Sequence, residues 1–200
     1  NGTALTIGTG IGAAIVIDGR VYRGSQGAAG EVGFWLLGAL GPIEKRTGFG
    51  HLESTAAGPG IALQAREELR RSPQSGAILR EMVEGDLERI TAKEVFAAAR
   101  QGDPLSQAVV NRATEYLGIL VANMASLLNM EKVVIAGGLS RTGEQLLAPI
   151  RSIVEQLSPY PPEIELSQLQ EDATILGAVS GVLELRESSI QFSHLSWEGF

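Results

Sequence analysis

Cysteine is absent from all 200 residues. That excludes disulfides, thiolate metal sites and a cysteine nucleophile, and makes a cytoplasmic protein the expectation. Aromatic residues are scarce, at 5%, which speaks against an aromatic-rich binding sandwich. Basic residues are the minority: 16 Lys and Arg face 23 Asp and Glu, for a formal charge of −7. A general electrostatic grip on nucleic acid through this segment is therefore not expected. No apolar run approaches the roughly 18 residues of a membrane helix. The nearest, Leu117 to Leu128, is interrupted by Asn123 and Ser126 and reads as a helix buried on most sides. Asn1, not Met, stands first, and no basic-then-apolar signal follows it, so the chain reads as a piece of a longer protein.

Glycine is abundant, with 25 residues, and hydrophobic residues make up 44%. Together they suit an α/β protein with tight backbone turns, long enough for a sizeable core. The opening reads as strand, loop, strand: Thr3 to Ile7, then Gly8-Thr9-Gly10-Ile11-Gly12, then Ala13 to Ile17. Asp18-Gly19 supplies a hairpin turn before Arg20-Val21-Tyr22. Gly24 to Gly50 is a long glycine-rich stretch with few charges, the kind of irregular segment that carries function. Helical patterns follow over Ser54 to Arg71 and Ser75 to Glu84. Thr91 and Glu94 form a capping box for a helix to Arg100. Asp103-Pro104 opens a longer helix to Leu128. Lys132 to Ala136 is a short buried strand and Gly137-Gly138 a turn. Ser140 is read as the cap of a helix to Leu157, Glu163 to Leu166 as a strand, and Asp172 as the cap of a last helix to Arg186. Strands first, then helices with isolated strands between them, imply a mixed sheet flanked by helices.

Gly8, Gly10 and Ala13 match a loose dinucleotide fingerprint, but that motif needs a helix after the loop, and here a strand follows. A glycine loop at a hairpin can instead present backbone N–H groups to phosphate oxygens, or it can be only a tight turn. The second loop shifts the balance. Val133 to Ala136 leads into Gly137-Gly138-Leu139-Ser140, which lets flat or anionic groups approach the backbone beside a helix start. Two such loops fit a nucleotide held between them.

Thr6-Ile7-Gly8-Thr9-Gly10-Ile11-Gly12, Tyr22-Arg23-Gly24 and Ala29-Gly30-Glu31-Val32-Gly33 resemble the signature region of the ROK family of bacterial sugar kinases and sugar-responsive repressors. The likeness continues through Gly50-His51-Leu52-Glu53-Ser54, Ala99-Arg100-Gln101-Gly102-Asp103-Pro104, Ile135-Ala136-Gly137-Gly138 and Leu176-Gly177-Ala178. The resemblance implies an actin-like, ribonuclease-H-like fold of two lobes. Residues 1–186 would form essentially the second lobe, and 187–200 a loosely held tail. It also implies sugar contacts at Glu31 and Glu53, ATP phosphates near Gly8, Thr9 and Gly10, and adenosine near Gly137 and Gly138. A carboxylate accepting from two sugar hydroxyls suits that role, at about 1.5–3 kcal/mol per charge-assisted bond. Ordinary solvated acids at a loop and a helix start remain the alternative, as does a glycosidase pair.

The chain departs from the family pattern at a zinc site. The histidine position holds Phe34, and the cysteine positions align with Glu44, Arg46 and His51, so no zinc is expected. A ring at Phe34 can stack on a sugar face or plug the cleft. The family's catalytic base, an aspartate, lies upstream of this segment. Asp18, Asp86, Asp103 and Asp172 all have turn, loop or capping positions, so no catalytic residue is assigned and the isolated chain is expected to be inactive. The expectation is a sugar-recognising, nucleotide-side lobe, most simply the effector-binding domain of a sugar-responsive regulator. The alternative is half of an ATP- and Mg²⁺-dependent hexose kinase. The expected partners are a small-molecule sugar, the missing first lobe and further copies of the chain, with no nucleic acid through this segment and no membrane.

Overall fold

The computed structural model describes residues 1–37 and 50–169. The expected helix from Asp172, the tail 187–200, Glu44 and Arg46 lie outside them. Contacts divide the chain into one unit of Asn1–Ser167 and a second beginning at Gln168. The first unit holds a five-stranded mixed sheet.

Strands β1 (Gly2–Ile7), β2 (Ile11–Ile17) and β3 (Arg20–Tyr22) form an antiparallel meander. The turn between β2 and β3 places Asp18 and Gly19 at φ 49° and 75°, the positive values that a two-residue hairpin of this hand requires. Strands β4 (Lys132–Ala136) and β5 (Glu163–Leu166) add in parallel on the other side of β1, giving the order β3-β2-β1-β4-β5. The β2 strand begins at Ile11, paired with Ile7, so the glycine loop is tighter than expected and only Gly8, Thr9 and Gly10 lie between the strands.

Helices fill the two long connections. They are α1 (His51–Ala56), α2 (Gly58–Arg71), α3 (Ala77–Met82), α4 (Ala92–Arg100), α5 (Pro104–Leu128) and α6 (Glu144–Leu157). Short 3₁₀ turns occupy Val32–Phe34, Leu87–Arg89 and Gly138–Thr142. Thr3, Leu5 and Ile7 of β1 point into the core, where Leu117, Leu120, Val121 and Met124 of α5 are buried. The apolar stretch of α5 is enclosed on most sides, as its composition requires, although Leu127 near its end is 72% exposed. Among the described residues no helix is long and apolar enough to cross a membrane.

Two expected helix starts are corrected. The single helix over Ser54 to Arg71 is two, separated by Ala57 in an extended conformation. Pro59 has no N–H to continue α1 and its ring would clash with the preceding turn; the N–H of Gly58 donates instead to Gly8 O at 2.9 Å. Ser140 does not cap α6. Its hydroxyl donates to Gly137 O at 2.7 Å within the 3₁₀ turn, and Gly143, at φ 66°, is the residue that precedes α6. Two other caps form as expected: Thr91 with Glu94 at α4, and buried Asp103, which accepts from Ser106 N at 2.9 Å at α5. Asp86, expected in a polar loop, caps the Leu87–Arg89 turn by accepting from Glu88 N at 3.0 Å.

Candidate functional site

Because β1 and β4 run parallel side by side, their C-terminal ends deliver both glycine loops to one edge of the sheet. That edge is where open α/β sheets leave room for a ligand. Gly137 sits at φ +89°, and a β-carbon there would overlap the carbonyl oxygen of Ile7. Only glycine lets the end of β4 pass so close to the end of β1. Gly138 N lies 3.9 Å from where a β-carbon of Gly8 would stand, so the two loops are neighbours.

Beside them opens a groove of about 510 Å³. Gly8, Thr9, Gly138 and Leu139 form its floor, Pro59, Ala62 and Arg66 of α2 one wall, and Ile90 through Lys93 at the start of α4 the other. The walls from Pro59, Ala62, Ile90 and Leu139 are apolar, and Thr9, Thr91 and Lys93 add polar groups. Arg66 is held in place: its guanidinium donates to Glu88 O at 2.9 Å and Ile90 O at 2.7 Å, and pairs with the Glu88 carboxylate at 3.2 Å. Of the residues the sequence assigned to a nucleotide, Gly8, Thr9 and Gly138 line this groove. Gly10 turns towards Glu53, and Gly137 lets the ends of β4 and β1 lie close together. The α2 and α4 walls were not assigned from sequence. The Thr91–Glu94 capping box was visible as a helix start, but Gly58-Pro59 was read inside a single helix, and nothing showed that the two segments face each other.

Burial opposes ionisation of Glu94, but hydrogen bonds from the Thr91 hydroxyl and N–H outweigh it and hold the carboxyl below the usual glutamate value.

The three residues assigned to a sugar occupy different surroundings. Glu53, on the first turn of α1 and half-buried, accepts from Ile11 N at 3.0 Å through Oε1 and from Gly50 N at 2.7 Å through Oε2. Gly10 and Gly33 enclose it: their missing β-carbons would stand 2.6 Å from Oε1 and 2.7 Å from Cδ. The Val32–Phe34 turn thus lies against the Glu53 carboxyl. Glu31, immediately before that turn, is exposed and borders a smaller recess of about 290 Å³ with Trp35, Met124 and Leu127. Phe34 is 53% exposed. His51 stacks at a tilt against Tyr116, with ring centroids 6.4 Å apart, and its Nδ1 has no hydrogen-bond partner among the described residues. No group of three or more His, Cys, Asp or Glu side chains among the described residues is arranged to hold a metal ion.

A mixed sheet in the order β3-β2-β1-β4-β5, with helices packed on it and glycine loops at the ends of β1 and β4, defines a lobe of the actin-like ATPase fold. The ROK family profile matches residues 1–184, and the chain belongs to that family. It is 35% identical to a glucokinase of Halalkalibacterium halodurans over 192 residues, covering 94% of this chain and 57% of the relative. It is 30% identical to a xylose repressor of Caldicellulosiruptor bescii over 183 residues, covering 90% of this chain and 45% of the repressor. Among solved structures, the ROK family glucokinase of Streptomyces griseus in complex with glucose and AMPPNP superposes with a TM-score of 0.76 at 28% identity, over 88% of this chain and 58% of that one. The chain spans little more than half the length of the glucokinases it matches.

Proposed function

We propose that this chain is the sugar-recognising, nucleotide-side lobe of a cytoplasmic ROK protein, formed by residues 1–186, and that the whole protein is a sugar-responsive transcriptional regulator. The observation that carries the reading is the placement of one loop between two environments. Gly8 and Thr9 line the apolar groove, while the next residues, Gly10 and Ile11, meet the Glu53 carboxylate. A nucleotide on one side and a sugar hydroxyl on the other fit that arrangement. Phe34 supports the regulator: an exposed ring stands where the family pattern has a polar histidine, and it offers a sugar a stacking face in place of a hydrogen bond. Glu31 and Glu53 are the proposed sugar contacts; Gly8, Thr9, Gly10, Gly137 and Gly138 are the proposed nucleotide contacts.

A second reading, a hexose kinase, is favoured by the open groove between the loops and by 35% identity to a glucokinase. In that case the groove and the backbone N–H groups of the Gly8–Gly10 loop would hold ATP with its Mg²⁺, while the catalytic base would come from the first lobe. No zinc is assigned to Phe34 or His51 in either reading.

Thermal denaturation of the full-length protein with a panel of hexoses, pentoses and amino sugars tests the shared part. A sugar at 100 times its dissociation constant stabilises by about 2.7 kcal/mol, and Glu31→Ala is expected to abolish the shift. No shift with any sugar refutes the reading. Transfer of labelled γ-phosphate from ATP to the stabilising sugar would decide for the kinase.

A further inference from the structure

We infer that Glu53 is a positioning residue for the nucleotide groove, holding the glycine loop in the conformation that forms the groove's floor. The inference rests on the nucleotide reading above and adds to Glu53 a role that a sugar ligand alone does not have.

The geometry is a chain of short, stiff links. Glu53 Oε1 takes the N–H of Ile11, the first residue of β2, and Oε2 takes the N–H of Gly50 just ahead of α1. Ile11 is separated from Ile7 by three loop residues, and the loop is closed on itself by Gly8 N donating to Gly10 O at 2.9 Å. A loop this short has few soft dihedrals, so a displacement of Ile11 reaches Gly8 and Thr9, which floor the groove. From there a second link runs back into α2: Gly8 O accepts from Gly58 N at 2.9 Å, and Gly58 and Pro59 line the groove. The helices carrying Glu53 and Pro59 are joined through Ala57 alone.

The carboxylate has little room to move independently. The positions of absent β-carbons at Gly10 and Gly33 stand 2.6–2.7 Å from its atoms, so its displacement and that of the loop go together. A carboxylate, accepting through both oxygens, satisfies two N–H donors at once. A glutamine presents one oxygen and one NH₂, and must set donor against donor at either Ile11 or Gly50. Each oxygen keeps a further lone pair, so a hydroxyl donor beside Glu53 shares the acceptor that holds the loop. Binding on the Glu53 side and in the groove is thereby linked, and the linkage is reciprocal.

The test uses the full-length protein and the fluorescent probe trinitrophenyl-ATP, titrated without sugar. Glu53→Gln is expected to weaken probe binding at least about fivefold, the lower end of ordinary coupling between sites. Glu131→Gln, an exposed carboxylate just before β4 at the end opposite the glycine loops, is expected to leave the affinity unchanged. A pure sugar ligand or a general structural prop would not produce that contrast at a temperature where both variants retain a cooperative melt. Probe affinity in Glu53→Gln within twofold of the unmodified protein overturns the inference. Amide hydrogen exchange on the unmodified protein serves if the variant does not fold: saturation with the probe is expected to slow exchange at Ile11 and Gly50, and unchanged rates at both overturn the inference. If the unmodified protein does not bind the probe, the nucleotide reading fails and the inference falls with it; normal binding with no effect of Glu53→Gln sinks the inference alone.

Discussion

Glu53 and Ile11, 42 residues apart in the chain, are joined by a hydrogen bond of 3.0 Å from a strand N–H to a helix carboxylate. The same carboxylate oxygen lies 2.6 Å from where a methyl on Gly10 would stand. Gly10→Ala is therefore expected to displace the carboxylate and break this bond. Loss of a hydrogen bond to a charged group costs about 1.5–3 kcal/mol, to be read as a fall in the urea midpoint. Gly12→Ala is the control: nothing lies within 4 Å of its absent β-carbon, and alanine in a strand is expected to be neutral or to stabilise by up to about 1 kcal/mol.

Gly118 lies where α5 packs against α6. A β-carbon there would stand 2.7 Å from Cβ and Cγ2 of Ile153. Alanine gains about 1 kcal/mol of helix propensity, but overpacking costs about 1–3 kcal/mol. A net loss of about 1 kcal/mol is expected for Gly118→Ala. In a double-mutant cycle with Ile153→Ala the two changes should cost less together than their sum, since truncating Ile153 relieves the crowding. Additive effects would show that the helices do not meet there.

Gly138 offers the opposite case. Nothing lies within 4 Å of its absent β-carbon, although the residue lines the groove. Gly138→Leu is expected to change stability by no more than about 0.5 kcal/mol. The same side chain would occupy ligand space and lower trinitrophenyl-ATP affinity at least tenfold, or about 1.4 kcal/mol. Unchanged affinity would place the nucleotide elsewhere.

The Thr91–Glu94 capping box predicts a pH dependence. Glu94 is held below its ordinary value in the folded protein, so its contribution is present at neutral pH and is lost as acid takes the solution through the folded value. Urea midpoints measured between about pH 7 and pH 3 should fall less steeply for Glu94→Gln than for the unmodified protein. Thr91→Ala removes the donor side and is expected to cost about 1 kcal/mol at neutral pH. Parallel pH profiles for both proteins would contradict the assignment.

Where neighbours along the chain supply the physics, the fold was legible before any coordinates. The Asp18-Gly19 hairpin, the capping box at Thr91 and the proline start at Pro104 each rest on contacts within a few residues, and all appear. The failures came where a local signal had to compete. Ser140 has the residue type of a helix cap, yet its hydroxyl satisfies Gly137 O in a 3₁₀ turn. The helical pattern over Ser54 to Arg71 conceals a break at Ala57 because Gly58 finds a partner, Gly8, from the far side of the chain.

The candidate site divides along the same line. Bare backbone that can meet a phosphate marked both glycine loops, and the family resemblance marked Glu31 and Glu53 as carboxylates that can meet a sugar. Assembly of the sheet brought the parts together. Parallel pairing of β4 with β1 sets Gly138 beside Gly8, and packing of α2 and α4 turns that edge into a groove. The tie from Glu53 to Ile11 is of the same kind: a hydrogen bond across 42 residues leaves no periodicity or spacing in the chain, and exists only once helix and strand are in place.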